Sequence, residues 1–459
     1  MYKIFFNRVS QVYELTEMAR MFLPSSEFCI LDRDPAEDEG NAVEDVIIRL
    51  PDPITTRDEG KRWLYDRLKE HTGRSLEWGT LTGVRPVKLA GDLIAAGNSE
   101  KQAKEILIKE YYLSSKKAEL LMSVRKAQIP YLAEDITGTI GIYIGIPFCP
   151  TRCVYCSFPS NQVGYDKIKP YLEALEHEIR FAGEALACKG WYPETIYIGG
   201  GTPTVLEDAD IERLLKAIRE SFYMKRLREL TVEAGRPDTI TESKLIILKE
   251  NGVDRISINP QSMKQETLEK IGRCHCTSDV FSAFGMARNI GFKVINADLI
   301  AGLPGEEKED FLNSLETVIG LSPQNITVHT LAVKRASRLK DIDDKYSYRQ
   351  GEKVSMMLEA GEKALKGFGY IPYYLYRQKQ MAGNLENVGY TFPGNECIYN
   401  IRIMEENQTI LALGAGGISK VWYPEENRLE RIPNVSNYEI YIERIEEMIE
   451  RKNQGIFIG

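Results

Sequence analysis

Between residues 138 and 335 the chain alternates short apolar runs with longer helical stretches, and that alternation leaves few folds open. The spacing predicts strands at 141–147, 195–200, 230–235, 254–259, 294–301 and 325–333. Helical patterning fills the gaps near 166–187, 208–223, 241–251, 278–290 and 308–320. Strands joined through helices form a parallel sheet with right-handed crossovers, because parallel neighbours need a long connection. Six strands are too few for a closed eight-stranded barrel. The expected fold class is therefore α/β: an open six-stranded (βα)6 partial TIM barrel. Sites on such sheets lie at the C-terminal strand ends.

The first strand runs straight into Gly145-Ile-Pro-Phe-Cys-Pro-Thr-Arg-Cys-Val-Tyr-Cys-Ser-Phe158. Cys149, Cys153 and Cys156 have the spacing C-x3-C-x2-C. Thiolates are the soft ligands that iron–sulfur clusters take. Four cysteines close a [4Fe–4S] site; three leave one iron open to a small molecule. A structural zinc site asks for four protein ligands, usually in two pairs, and this loop offers three. The spacing, with Tyr155 before the last cysteine, resembles the radical S-adenosylmethionine (SAM) superfamily. The resemblance implies that the open iron holds the amino and carboxylate groups of SAM. It also implies that the reduced cluster splits SAM to a 5′-deoxyadenosyl radical, which takes a hydrogen atom from substrate.

Other strand ends carry further candidates. Gly199-Gly200-Gly201-Thr202-Pro203-Thr204 ends the second strand, where glycines let backbone approach a ligand. A tight strand-to-helix turn is the alternative. No G-x-G-x-x-G fingerprint is present, and Gly414-Ala-Gly416-Gly417 reads as a turn lining the site. Glu233 ends the third strand, and a carboxylate there suits ribose hydroxyls. Gln261 follows the fourth strand, Arg273 lies one helical stretch later, and Asp298 lies in the fifth strand. The planar fork of an arginine suits a carboxylate. Singly each fits an ordinary surface or turn position; together, on successive strand ends, they read as one ligand-lined cavity. Cys274-His275-Cys276 reads as a turn with small fillers or as a metal site, and Cys29 and Cys188 as buried apolar residues.

The flanks are less informative. Residues 1–135 read as an N-terminal small α/β domain with strand-like runs Tyr2–Phe6, Phe28–Asp32 and Val46–Leu50. Helices are expected over Ser99–Tyr111 and Ser114–Ala127, the second capped by Ser114 or Ser115. Residues 136–345 hold the barrel. Residues 346–459 read as a C-terminal α+β extension that closes over the open side. It has a helix near 346–368, a Tyr-rich strand Tyr370–Tyr376, strands at 401–405 and 408–413, and a helix near 436–452. A net charge of −8 without a long basic run argues against a nucleic-acid partner. No apolar run approaches the roughly 18 residues of a membrane span. The start lacks the apolar segment of a secretory signal. The eight cysteines fit reduced thiols, so a cytoplasmic location is expected.

Taken as a series, Pro-Phe-Cys-x3-Cys-x-Tyr-Cys, Gly-Gly-Gly-Thr-Pro-Thr, Gln-Ser, Gly-Arg-x-His and Asp-Leu-Ile-x-Gly-Leu-Pro-Gly are similar to the oxygen-independent coproporphyrinogen III oxidase family. The likeness covers roughly 138–335. His-Thr-Leu-Ala-Val-Lys-Arg-Ala-Ser-Arg at 329–338 and Gly-Asn-Leu-Glu-Asn-Val-Gly-Tyr at 383–390 resemble its coproporphyrinogen dehydrogenase HemZ branch. By that likeness Tyr143, Gly200, Gly201, Thr202, Glu233, Gln261, Arg273 and Asp298 contact SAM, and Cys149, Cys153 and Cys156 hold the [4Fe–4S] cluster. It also implies a tetrapyrrole substrate and an electron donor such as a flavodoxin or ferredoxin. Arg335, Arg338, Arg377 and Arg402 are candidates for the substrate's propionates. The oxidase proper has a further cysteine where this chain has Phe158, and a histidine where it has Gly145. Haem chaperones of the same family carry His-Asn-x-x-Tyr-Trp; the matching stretch here is Asn395-Glu-Cys-Ile-Tyr-Asn400. Haem delivery, or action on another tetrapyrrole, stands as the alternative to decarboxylation.

Overall fold

The computed structural model describes residues 1–6, 12–31, 45–50, 56–83, 85–158, 160–334, 337–339, 343 and 345–458. Near the start, strands β1 (Tyr2–Phe5), β2 (Phe28–Leu31) and β3 (Val46–Arg49) form a parallel sheet in the order β2-β1-β3. The helix Arg57–Thr72 covers it together with Val12–Phe22. A reciprocal Thr56–Glu59 capping box starts the longer helix, and Gly73, at φ 68°, ends it. Ile4, Leu15, Met18, Phe22, Leu64 and Leu68 make a separate small core.

Helices Pro86–Ala95, Glu100–Lys109 and Ser115–Leu132 follow, the last two capped by Ser99 and Ser114. Their apolar faces do not turn to the small sheet. Trp78, Ala90, Leu107, Leu121 and Val124 instead join the main core with the barrel strands. The expected boundary at 135 therefore does not coincide with a division of the core. An amphipathic helix must cover its apolar face, and here the barrel supplies the cover.

The large sheet has eleven strands. Its centre is β4 (Thr139–Ile146), β5 (Tyr192–Gly200), β6 (Glu229–Gly235), β7 (Arg255–Ile258), β8 (Val294–Ala301) and β9 (Asn325–Thr330), all parallel. These are the six expected strands of the open barrel. The C-terminal part adds strands at both edges. β10 (Ile371–Tyr376) and β11 (Asn387–Thr391) extend it beyond β9, antiparallel. β12 (Ile410–Leu413) lies parallel to β4, followed by antiparallel β13 (Ile418–Tyr423) and β14 (Arg428–Pro433). No helix among the described residues is long and apolar enough to cross a membrane.

One expected strand is a helix. Residues 401–405 close the helix Ile398–Glu405. Ile401-Arg-Ile-Met reads as strand alternation, but Arg402 is wholly buried against Glu194 rather than facing water. The helix start is fixed from outside: the Glu229 carboxylate accepts the N–H groups of Ile398 at 3.0 Å and Tyr399 at 3.4 Å. Glu229 also pairs with Arg255, which donates to the Asn395 and Glu396 carbonyls at 3.0 Å. Glu229, Arg255 and Asn325 all begin their strands, so the helix is seated across the N-terminal end of the barrel. The expected final helix is two, Tyr438–Glu443 and Ile445–Lys452.

Candidate functional site

The cysteine loop leaves β4 at the C-terminal end and is pinned at several points. Cys149 N–H donates to the Asn161 carbonyl at 3.0 Å, and Val154 N–H to the Ile271 carbonyl at 3.0 Å. Arg236 holds Thr151 Oγ1 at 2.7 Å. The glycine turn after β5 lies directly on this loop: Gly201 N–H donates to the Ile146 carbonyl at 2.7 Å and Thr202 N–H to the Phe148 carbonyl at 2.8 Å. A Cβ on Gly201 would collide with the Phe148 carbonyl and stand 3.0 Å from Cys149 Sγ. Gly200 has φ 113°, open to glycine alone without strain. The glycines are thus required by the closeness of the two loops.

Burial pushes the Cys149 and Cys156 thiols up; Cys156 and Cys153 add to this at Cys149, and Cys153 adds to it at Cys156. Thiols raised in this way ionise readily only beside a cationic centre, which a bound cluster provides. Among the described residues no three His, Cys, Asp or Glu side chains are placed to hold a single metal ion. A cube presents a separate iron to each thiolate, so the loop fits a cluster better than a lone ion.

All three cysteines and all eight expected cofactor contacts line one cavity of about 480 Å³. Glu233 Oε1 accepts the Tyr197 hydroxyl at 2.6 Å, and Oε2 accepts Gly200 N–H at 3.3 Å. Burial nevertheless pushes Glu233 up to about 7. Burial also pushes Asp298 upward, but hydrogen bonding and charge from His329, 3.5 Å away, with Asn296 at 2.8 Å, hold it below its ordinary value. Gln261 is a non-glycine residue at φ 67°, held there because its N–H donates to the Asp298 carbonyl at 2.9 Å. Its Oε1 is buried without a partner, as is Nε of Arg273. Arg273 donates to Tyr155 Oη and the Asn259 carbonyl, both at 3.3 Å. Orphaned polar atoms on a cavity wall call for a polar ligand.

The sequence reading named Tyr143 and a Tyr-rich strand but did not bring them together as an aromatic wall. Tyr143, Tyr197 and Tyr399 stack with centroids 4.7–6.5 Å apart, and Tyr373, Tyr374, Tyr376 and His329 continue the lining. Strand alternation carried part of this signal, since Tyr143 and Tyr197 pair in register on adjacent strands.

The arginine candidates fare differently. Arg402 binds Glu194 at 2.9 Å and the Tyr131 carbonyl at 2.8 Å, wholly buried. Arg377 donates to the Leu81 and Asn384 carbonyls over the Trp78 ring. Both are committed inside the fold and neither lines the cavity. Arg338 is exposed, and Arg335 lies outside the described residues. The Gly414–Gly417 turn does not line the cavity either. It joins β12 to β13, and Glu178 accepts the Gly414 N–H at 2.7 Å. His275 is buried, its pKa pulled to about 4 by burial and the Arg273 charge; Cys276 caps the helix Thr277–Ile290 and Cys274 is exposed. Cys188 is exposed rather than buried, because it falls in the last turn of the helix Tyr165–Lys189.

The radical SAM superfamily pattern matches residues 143–318. The oxygen-independent coproporphyrinogen-III oxidase-like protein HemZ of Bacillus subtilis is 43% identical over 392 residues, 84% of this chain and 78% of that one. The haem chaperone HemW of the same species is 40% identical over 195 residues, 42% of this chain and 50% of its own. Among solved structures, the coproporphyrinogen III oxidase HemN of Escherichia coli, a radical SAM enzyme, matches with a TM-score of 0.55 at 25% identity, over 71% of this chain and 73% of that one. Radical SAM proteins work with a [4Fe–4S] cluster and SAM, the two groups the cysteine loop and the orphaned polar wall fit. On the HemZ match across most of both chains, this protein belongs to the radical SAM family of oxygen-independent coproporphyrinogen-III oxidase-like proteins.

Proposed function

We propose that the protein converts coproporphyrinogen III to protoporphyrinogen IX without oxygen, by oxidative decarboxylation. The observation that supports this most is one cavity joining three thiols to a tyrosine-lined chamber, in a chain 43% identical to HemZ. Cys149, Cys153 and Cys156 hold the cluster. The Gly200–Thr202 backbone would hold the amino group of SAM, Arg273 its carboxylate, and Glu233 its ribose, with Tyr143, Gln261 and Asp298 completing the wall. Bound there, the cluster and SAM would supply the chemistry of hydrogen-atom abstraction. Each reacting propionate loses hydrogen from the carbon next to the ring and then carbon dioxide. A vinyl group remains, and an external acceptor takes the leftover electron. Two propionates react, so two SAM are used. The residues in the wall orient the substrate, and the stacked tyrosines offer it apolar ring faces. A flavodoxin or ferredoxin of the cytoplasm supplies the reducing electron. The test is anaerobic incubation of reconstituted protein with reductant, SAM and coproporphyrinogen III. The expected result is 5′-deoxyadenosine and the divinyl product by mass; neither forming overturns the proposal.

A second reading, haem delivery, is favoured by the HemW match and by Phe158 in place of the oxidase's cysteine. Against it, residues 395–400 carry no histidine. Tight stoichiometric haem binding without SAM-dependent turnover would establish it.

A further inference from the structure

Among the described residues four Lys or Arg side chains line the cavity; two are held in ion pairs, and Arg273 is assigned above to SAM. Arg236 is held by Asp238 at 3.1 Å, Arg255 by Glu229 at 3.4 Å, and Arg273 faces Tyr155 at 3.3 Å. The fourth, Lys334, is half-buried on the wall and pairs with no carboxylate among the described residues. Its ammonium lies 5.9 Å from the centroid of the Phe158 ring. That ring is 59% exposed although it lines the cavity. The backbone on either side of Lys334 is anchored. Val333 N–H donates to the Gln380 carbonyl at 3.1 Å, and Leu339 N–H to the Val154 carbonyl of the cysteine loop at 3.0 Å. The chain just after β9 is thus strapped to the loop that carries Phe158.

A largely exposed aromatic ring beside a cation that pairs with no carboxylate among the described residues suits one chemical class: a flat apolar ring that bears a carboxylate. We infer that Phe158 and Lys334 together form a substrate-specificity element, the ring packing on Phe158 and one ring carboxylate pairing with Lys334. This rests on the cavity being the substrate site proposed above. It also gives a role to Phe158, which stands where the oxidase carries a cysteine.

The test uses anaerobically reconstituted protein and coproporphyrin III, the stable oxidised macrocycle, titrated by fluorescence quenching. Lys334→Met should weaken binding about tenfold, the loss of one charge-assisted pair, while Lys334→Arg stays within about threefold. Phe158→Ala should weaken binding of coproporphyrin III and of its tetramethyl ester alike. The ester should bind wild type and Lys334→Met equally, and SAM affinity should not move. Lys334→Met binding coproporphyrin III as wild type does, or losing ester binding equally, overturns the inference. So does a changed iron content or visible absorption in Lys334→Met, which would assign the lysine to the cluster. If wild type makes no vinyl product but Lys334→Met still weakens coproporphyrin III binding, the proposed reaction falls and the inference stands. If wild type turns over and Lys334→Met binds and turns over identically, the inference alone falls.

Discussion

Each cysteine of the loop is one of three thiolates, and the loop has no spare. Replacing Cys149, Cys153 or Cys156 with alanine should drop iron from about four per chain and abolish both the brown absorption and SAM cleavage. Cys29→Ala should leave all three unchanged, since Cys29 lies in the small N-terminal sheet. Glu233 behaves differently because its protonation matters. Its folded pKa, about 7, lies above its ordinary 4.5, so the folded state holds the proton more tightly. The stability this contributes is full below 4.5 and is lost as pH rises through about 7. Glu233→Gln should therefore gain melting temperature relative to wild type on going from pH 5 to pH 8; a constant difference would contradict the raised pKa. SAM affinity in wild type should improve over the same range, as the carboxylate becomes the better acceptor, and in the glutamine variant it should stay flat. The cysteines were legible because spacing alone specifies the chemistry. Lys334 and the tyrosine wall were not, since their meaning depends on what lies across the cavity.

The helix Ile398–Glu405 illustrates how an element is decided. Its own sequence alternates like a strand; its conformation is set by Glu229, Arg255 and Glu194, each more than a hundred residues away. Arg402→Met would strip Glu194 of its wholly buried partner, leaving it the exposed Arg228 at 2.8 Å. A cost of about 3 kcal/mol is expected, as for breaking a buried ion pair by removing one side. Chemical denaturation measures it. The folded fraction should keep wild-type affinity for coproporphyrin III, because Arg402 is far from solvent and outside the cavity lining. A loss of affinity without loss of stability would return Arg402 to the substrate site. The barrel strands were legible where Arg402 was not. Their apolar runs are bounded by turn residues and buried on both faces, a signal that survives without knowing the neighbours.

Across the whole molecule, the segment 76–132 belongs mechanically to the barrel. Trp78 donates to Glu386 at 2.7 Å and Lys117 pairs with the same carboxylate at 2.6 Å, both buried, tying the helices to the segment just before β11. A chain starting at residue 136 should be insoluble, because it bares the apolar face these helices cover. A chain starting near 76 should remain folded, since residues 1–76 have a separate core. Solubility and limited proteolysis of the two chains check this, and a soluble, compact 136–459 would refute it. The sequence by itself determined the alternating strands, the C-x3-C-x2-C loop at the first strand end and the series of polar residues on later strand ends. Period and spacing are local properties, carried by neighbours along the chain. The tertiary structure alone decided which arginines are buried in ion pairs and which strands lengthen the sheet at its edges. It also decided that the Lys334 ammonium lies over the Phe158 ring in the cavity wall. Those outcomes depend on desolvation and on partners distant in sequence, and no local pattern encodes either.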